Sequence, residues 1–175
     1  MVYPPVVTTQ VNGMCREVVV PCSLDEELLE EAQLLAVDVA QVLESVGILA
    51  VELFIVDDMA VICEVAARPH NSGHLTIEGT SASQFENHLR AVAGLALAEV
   101  EVMADAVVMV NIVGNAEGDD PADFVGEAQL PGLHLYGKTA RPARKLGHLT
   151  MLGNDVATVR TAAWQAVAEL HGGLA

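Results

Sequence analysis

Two glutamates raise the first chemical question. Glu52 and Glu64 each interrupt an apolar run in GILAVELFIVDDMAVICEVAARPHNSGH, residues 47–74. Runs of this kind are normally buried on both faces, and an ionised carboxylate inside one is costly unless it is paired or binds a metal. Two such residues on adjoining strands point to a cation site. If Asp57-Asp58-Met59 is a three-residue hairpin loop, Val56 pairs with Ala60 and Glu52 lies opposite Glu64, close enough to share a divalent ion. A two-residue loop shifts the register by one and sends the two side chains to opposite faces. The competing arrangement has one glutamate at a solvated strand edge and the other paired with Arg68. A polar loop follows, with Arg68, His70, Asn71, Ser72, Gly73 and His74.

The cations are the second feature. The chain has eight Lys and Arg residues, and Lys138, Arg141, Arg144 and Lys145 fall within eight positions. An acidic protein that gathers half its positive charge there is equipped to hold an anion, phosphate being the usual one. A solvated basic turn is the other reading.

These groups need a frame. Val6–Gln10 and Cys15–Val20 read as strands joined at Asn12-Gly13, a strong hairpin signal. Ser23 with Glu26 reads as a capping box. It opens a helix expected to run to about Val46, with Leu28, Ala32, Leu35, Val39, Val42 and Val46 on its buried face and Gly47 closing it. Pro69 ends the second central strand. Ser83 with Glu86 opens another helix, with Phe85, Leu89 and Val92 inward and Gly94 at its end. His88 on this helix reads as a surface or boundary residue. Ala106–Val113 is a further apolar strand, and Asn115–Glu127 an acidic, solvated loop. Leu133–Tyr136 and Leu146–Leu152 are short strands flanking the basic segment. Asn154 or Asp155 caps a last helix whose Val156, Val159, Ala163, Val167 and Leu170 face inward, with Trp164 packed beside them. A composition shift near Leu95–Asp105 divides residues 1–97 from 98–175.

The bulk numbers exclude several classes. With 175 residues, 52% of them hydrophobic, the chain is not generally disordered. A net charge of −16 argues against nucleic acid or an anionic membrane as partner. Three cysteines (Cys15, Cys22, Cys63) without metal-ligand spacing point to a reduced, cytoplasmic protein. No signal peptide is read at Met1–Gln10, and no apolar run has the roughly 18–20 residues of a membrane span.

Longer segments carry a resemblance. VELF, CEVAARPHNSGHLTIEG and SQFENHLRAV, with the later HLYGKTARPARKLGHLTMLG, resemble the 5-(carboxyamino)imidazole ribonucleotide synthases of purine biosynthesis, an ATP-grasp family. The likeness runs from YPPVV through essentially the whole chain and covers the C-terminal part of the family's proteins. It implies an α+β fold. Residues 1–97 would be the C-terminal part of an ATP-grasp domain, an antiparallel sheet with helices; residues 98–175 would be a small β-rich domain with a terminal helix. It also implies ATP and Mg²⁺ as cofactors, and ATP, bicarbonate and 5-aminoimidazole ribonucleotide as substrates. The family activates bicarbonate as carboxyphosphate and carboxylates the exocyclic amine, releasing ADP and phosphate.

On the matching positions, Glu52 and Glu64 would hold the metal, and Cys63 with Glu64 would border the nucleotide. Arg68, His70 and Asn71 would serve the carboxylation. Lys138, Arg141, Arg144 and Lys145 would grip the ribonucleotide phosphate, and His148 belongs to the same motif, in that role or in packing. Two departures stand out. Cys63 occupies a position where the family usually has Asn, and sulfur is a poor partner for Mg²⁺. No lysine precedes Lys138, although the family's first ATP lobe normally brings lysines and a Gly-rich loop to the phosphates. The chain is therefore expected to be a C-terminal portion, inactive alone, whose partners are the N-terminal half of the same enzyme and a second copy of itself. A mean hydropathy of +0.40 fits apolar faces covered elsewhere. The alternatives are another ATP-grasp carboxylase, or a non-catalytic metal- and phosphate-binding or assembly module.

Overall fold

A strand that is apolar at all but one position needs cover on both faces, and Ala106–Val113 finds it. In the computed structural model, which describes residues 1–114 and 130–171, this strand is β5, and all eight of its residues are buried. It lies at the centre of an antiparallel sheet ordered β1-β2-β5-β7-β6, with β1 Val7–Val11, β2 Met14–Val20, β6 Leu133–Leu135 and β7 Lys145–Gly153. The sheet thus joins strands from both sides of the 97/98 division. One face packs against helix α4, Val156–Leu170, through Val159, Ala163, Val167 and Leu170. Of the two candidate caps, Asp155 is the one used: its Oδ1 accepts from Thr158 N at 2.8 Å. The other face packs Val18, Val20, Val107 and Met109 against Leu75 and Val6.

Trp164 does more than pack. Its Nε1 donates at 2.8 Å to Glu17, which is 4% exposed. Arg160 Nε lies 3.0 Å from both oxygens of the same carboxylate. This group ties β2 to α4, and its spacing of more than 140 residues hid it in the sequence. Arg160→Met should leave the buried carboxylate short of charge. Because Arg160 is itself 46% exposed, the expected cost is about 2 kcal/mol, below the range for a fully buried pair. It should appear as a lower urea midpoint at unchanged m value.

The second sheet is the hairpin β3 (Ala50–Val56) and β4 (Met59–Ala66), beside helix α1, Glu26–Val42. Here the structure corrects the sequence in several places. The hairpin loop is the two-residue Asp57-Asp58, with Val56 paired to Met59. Both aspartates have positive φ, 50° and 58°, the geometry of a tight two-residue turn. That loop alone would have set Cys63 opposite Glu52. A bulge in β4 absorbs one extra residue, Cys63, and the ladder resumes with Glu52 opposite Glu64. The glutamates face each other, by a bulge rather than by a longer loop.

The burial expected around them does not hold. Phe54, Ile55, Val56, Met59, Val61 and Ile62 are exposed, because the hairpin is not sandwiched between two layers. Helix α1 contains no buried residue, and Val42 is 82% exposed. It starts from Asp25 with no side-chain cap, so the Ser23–Glu26 box does not form. It ends at Val42 rather than Val46, where Glu44 enters the left-handed region at φ 47°.

After β4 a 3₁₀ turn, Asn71–Leu75, leads into the short helix α2, Thr76–Gly79, and then into α3, Gln84–Val92. Ser83 caps α3 as expected, accepting from Glu86 N at 3.2 Å, and Gly94 ends it at φ +69°. Its apolar stripe points outward, however: Leu89 is 65% and Val92 56% exposed. The buried side chains are Gln84 and Asn87. This helix packs against loop backbone, whose polar groups need amide partners more than apolar cover. Asn87 pairs with both N and O of Ala98, at 2.8 and 3.0 Å. His88 is a boundary residue that accepts from Ile48 N at 3.1 Å. The acidic segment Asn115–Glu127 lies outside the described residues.

Candidate functional site

The two carboxylates are brought together by the bulge. Glu52 retains 35% side-chain exposure and Glu64 is exposed, so neither carries the full desolvation cost of a buried charge. Like charges directly opposite each other in a ladder repel. An all-oxygen donor pair of this kind suits a hard divalent ion, which would remove that repulsion. Cys63, as the bulge residue, is exposed beside Glu64.

Strand β4 ends at Ala66, which leaves Arg68 in the polar loop. Arg68 is exposed, donates to Pro69 O at 3.2 Å, and forms no ion pair among the described residues. His70 Nε2 lies 3.3 Å from Glu52 Oε1. The backbone N–H of Ser72, which can only donate, points at His70 Nδ1 at 3.4 Å. That contact makes Nδ1 the acceptor and leaves the neutral ring's proton on Nε2, facing Glu52.

Asn71 connects the loop to the second half of the chain. Its amide forms a reciprocal pair with buried Asn111 on β5, Nδ2 to Oδ1 at 2.9 Å and the converse at 2.8 Å. Lys145 Nζ, at the start of β7, donates to Asn71 Oδ1 at 2.7 Å. The structure therefore joins the glutamate hairpin, the His70–Asn71 loop and one end of the basic motif. Asn111 had passed in the sequence as one polar residue in an apolar strand. That interruption is the same signal that singled out Glu52 and Glu64.

The remaining cations occupy a separate loop. Lys138 lies over the Tyr136 ring, 4.8 Å from its centroid. Arg141 is exposed, and Arg144 donates to Thr139 O at 3.2 Å. The loop is pinned where Gly114 N donates to Arg144 O at 2.9 Å and Ala143 N to Gly114 O at 3.1 Å. A Cβ at Gly114 would sit 2.2 Å from Arg141 O, so only glycine permits this approach.

His148 is a packing residue, 2% exposed. It accepts from or donates to Tyr136 Oη through Nδ1 at 2.7 Å and stacks on His134, its cross-strand partner. Burial, then the neighbouring imidazoles of His74 and His134, lower its pKa to about 3. His74 is lowered to about 4, first by burial and then by nearby His70, Lys145, His134 and Lys138. Burial pushes the Tyr136 phenol up to about 12. Ligand atoms of Glu78, His134 and His148 lie within 4.8 Å of one another, yet they do not converge. The two rings stack 21° from parallel with centroids 4.7 Å apart, so their lone pairs run side by side. His134 Nε2 is already bonded to Glu78 Oε1 at 2.5 Å. The cluster is a packed polar seam.

An ATP-grasp domain matches residues 1–85, and a phosphoribosylaminoimidazole carboxylase C-terminal domain matches residues 107–162. The N5-carboxyaminoimidazole ribonucleotide synthase of Mycobacterium tuberculosis is 46% identical over 165 residues, covering 89% of this chain and 38% of that protein. The phosphoribosylaminoimidazole carboxylase of Schizosaccharomyces pombe is 41% identical, over 87% of this chain and 30% of that protein. The carboxyaminoimidazole ribonucleotide synthase of Aspergillus clavatus, solved with ATP, superposes with a TM-score of 0.85 at 34% identity, over 96% of this chain and 46% of that one. This chain thus spans less than half the length of each of these relatives. Matched by both family domains in order, and by the folds of the solved synthases, it belongs to the N5-carboxyaminoimidazole ribonucleotide synthase family of ATP-grasp proteins.

Proposed function

We propose that this chain supplies part of a ligase site that uses ATP and bicarbonate to carboxylate the exocyclic amine of 5-aminoimidazole ribonucleotide. The observation that carries the reading is the bridge from Glu52 through His70 and Asn71 to Lys145, which ties the acidic pair to the basic motif in one site. Solved relatives hold ATP, or ADP with 5-aminoimidazole ribonucleotide, by their own descriptions. In this reading Glu52 and Glu64 hold Mg²⁺, and Cys63 with Glu64 borders the nucleotide. When bound, the ion supplies charge neutralisation at the ATP phosphates. A bicarbonate oxygen attacks the γ-phosphorus and ADP leaves; the amine then attacks the carboxyl carbon, loses a proton, and phosphate leaves.

Arg68, exposed and unpaired among the described residues, offers a guanidinium to the developing phosphoryl and carboxyl charge. His70 and Asn71 orient the carboxyl donor or the amine. Lys138, Arg141 and Arg144 hold the ribonucleotide phosphate, and Lys145 adds its charge at the junction with Asn71. Residues 1–97 and 98–175 act as two family segments sharing one sheet. The bare apolar surface of α1 and the β3–β4 hairpin is where the N-terminal portion of such an enzyme docks, with a homodimer as the assembled form. Three free cysteines suit a cytoplasmic location, and no helix among the described residues is long and apolar enough to cross a membrane.

The test is complementation. The purified chain, mixed with the N-terminal portion of the Mycobacterium tuberculosis relative that it does not cover, is expected to release ADP only when ATP, bicarbonate and 5-aminoimidazole ribonucleotide are all present. Neither part should do so alone. A complex that forms but never turns over would favour the second reading, a metal- and phosphate-binding module. That reading draws on Cys63 and on the absence of lysine before Lys138.

A further inference from the structure

Gln84 opens α3 and is 2% exposed. Its Oε1 accepts the His70 N–H at 2.9 Å, and its Nε2 donates to the His70 carbonyl at 2.8 Å. A backbone N–H can only donate and a carbonyl can only accept, so these two contacts fix which way the amide points. The second Nε2 hydrogen then goes to His74 Nδ1, 2.9 Å away, which makes that nitrogen an acceptor. One side chain therefore grips both backbone groups of His70 and the ring of His74. The backbone of Gln84 is itself held, its N–H donating to Thr76 Oγ1 at 2.9 Å.

Nothing else among these contacts replaces the amide. Gly73 lies against it so closely that an added Cβ would fall 2.4 Å from Gln84 Oε1. We infer that Gln84 is the positioning residue of the site: by clamping the His70 backbone it directs the His70 Nε2–H at Glu52. The sequence concealed this, because a glutamine one residue after a helix cap reads as a solvated position. The buried amide saturates its acceptor once and its donors twice, which is the arrangement a buried polar group requires. It couples α3 to the carboxylate pair on the hairpin without touching either carboxylate. The catalytic consequence rests on the ligase reading; the structural one does not.

The experiment uses ¹⁵N-labelled chain, following the imidazole nitrogens of His70 by long-range ¹H–¹⁵N correlation and its amide by hydrogen exchange. The parent chain is expected to hold His70 in the Nε2–H tautomer. Gln84→Met keeps the length of the side chain and removes donor and acceptor together. It should speed exchange of the His70 amide roughly tenfold and move the ring nitrogens toward averaged tautomers. Gly73→Ala displaces the amide from the other side, at a backbone angle open to alanine, and should give the same result. It decides the matter alone if Gln84→Met does not fold. In the complemented enzyme, Gln84→Met should lower kcat for ADP release about 100-fold, with KM for ATP little changed. If the parent mixture releases no ADP, the ligase reading fails while the imidazole measurement still stands. Folded variants that keep both the tautomer and the amide exchange rate would overturn the inference.

Discussion

Glu64→Gln is expected to abolish metal-dependent turnover in the complemented enzyme, by on the order of 10³-fold, while leaving the chain folded. Glu64 is itself exposed, so the urea midpoint should move by no more than about 0.5 kcal/mol equivalent. Mg²⁺ affinity, read on the isolated chain, should fall with it. Glu52→Gln should lose the same affinity and also disturb His70, whose Nε2 lies 3.3 Å from the Glu52 carboxylate. Activity retained by Glu64→Gln would remove that residue from the metal site. The ligase mechanism would then lack half its donor pair, since the bulge at Cys63 is what sets the two carboxylates face to face.

The second large effect is on stability at mildly acid pH. His74 and His148 are held neutral in the fold, with pKa values lowered from the usual 6.5 to about 4 and about 3, mainly by burial. As pH falls below about 6.5, the unfolded chain takes up protons that the folded chain refuses. The stabilisation is therefore complete above that pH and is lost as pH drops toward the folded values. Each imidazole contributes up to about 1.4 kcal/mol per pH unit within that window. Allowing for water around partly exposed His74, the expected loss is of order 3 kcal/mol by pH 4.5. Urea titrations between pH 7 and 4.5 measure it, and His148→Phe, which cannot titrate, should flatten the slope by about one proton. A midpoint that stays level over this range would mean the rings ionise within the fold.

Both expectations concern residues whose importance was uneven in the sequence. Glu52 and Glu64 were visible because charge interrupted apolar runs, and their facing arrangement held for a reason no hydrophobic pattern announces. A two-residue turn and a bulge each shift the register by one, and the two shifts cancel. Asn111 gave the same interruption signal but no hint of its partners, and Gln84 and Glu17 gave none at all, since each works through residues 14 to 147 positions away. The apolar stripes of α1 and α3 misled for the opposite reason. Periodicity tells which residues share a face; it does not tell whether another layer is there to cover that face.

The likeness of whole segments pointed to the family and its α+β class, and apolar pattern alone located the central strand Ala106–Val113 and the buried stripe of the last helix. Those properties depend on local chemistry and on period, which a linear chain carries in full. Folding decided the rest: which amides close on which backbone groups, that Lys145 meets Asn71, and that His148 lies buried against His134. Those depend on strand register and helix placement, and a shift of one residue or a rotation of one helix rewrites every such contact while leaving the local pattern unchanged.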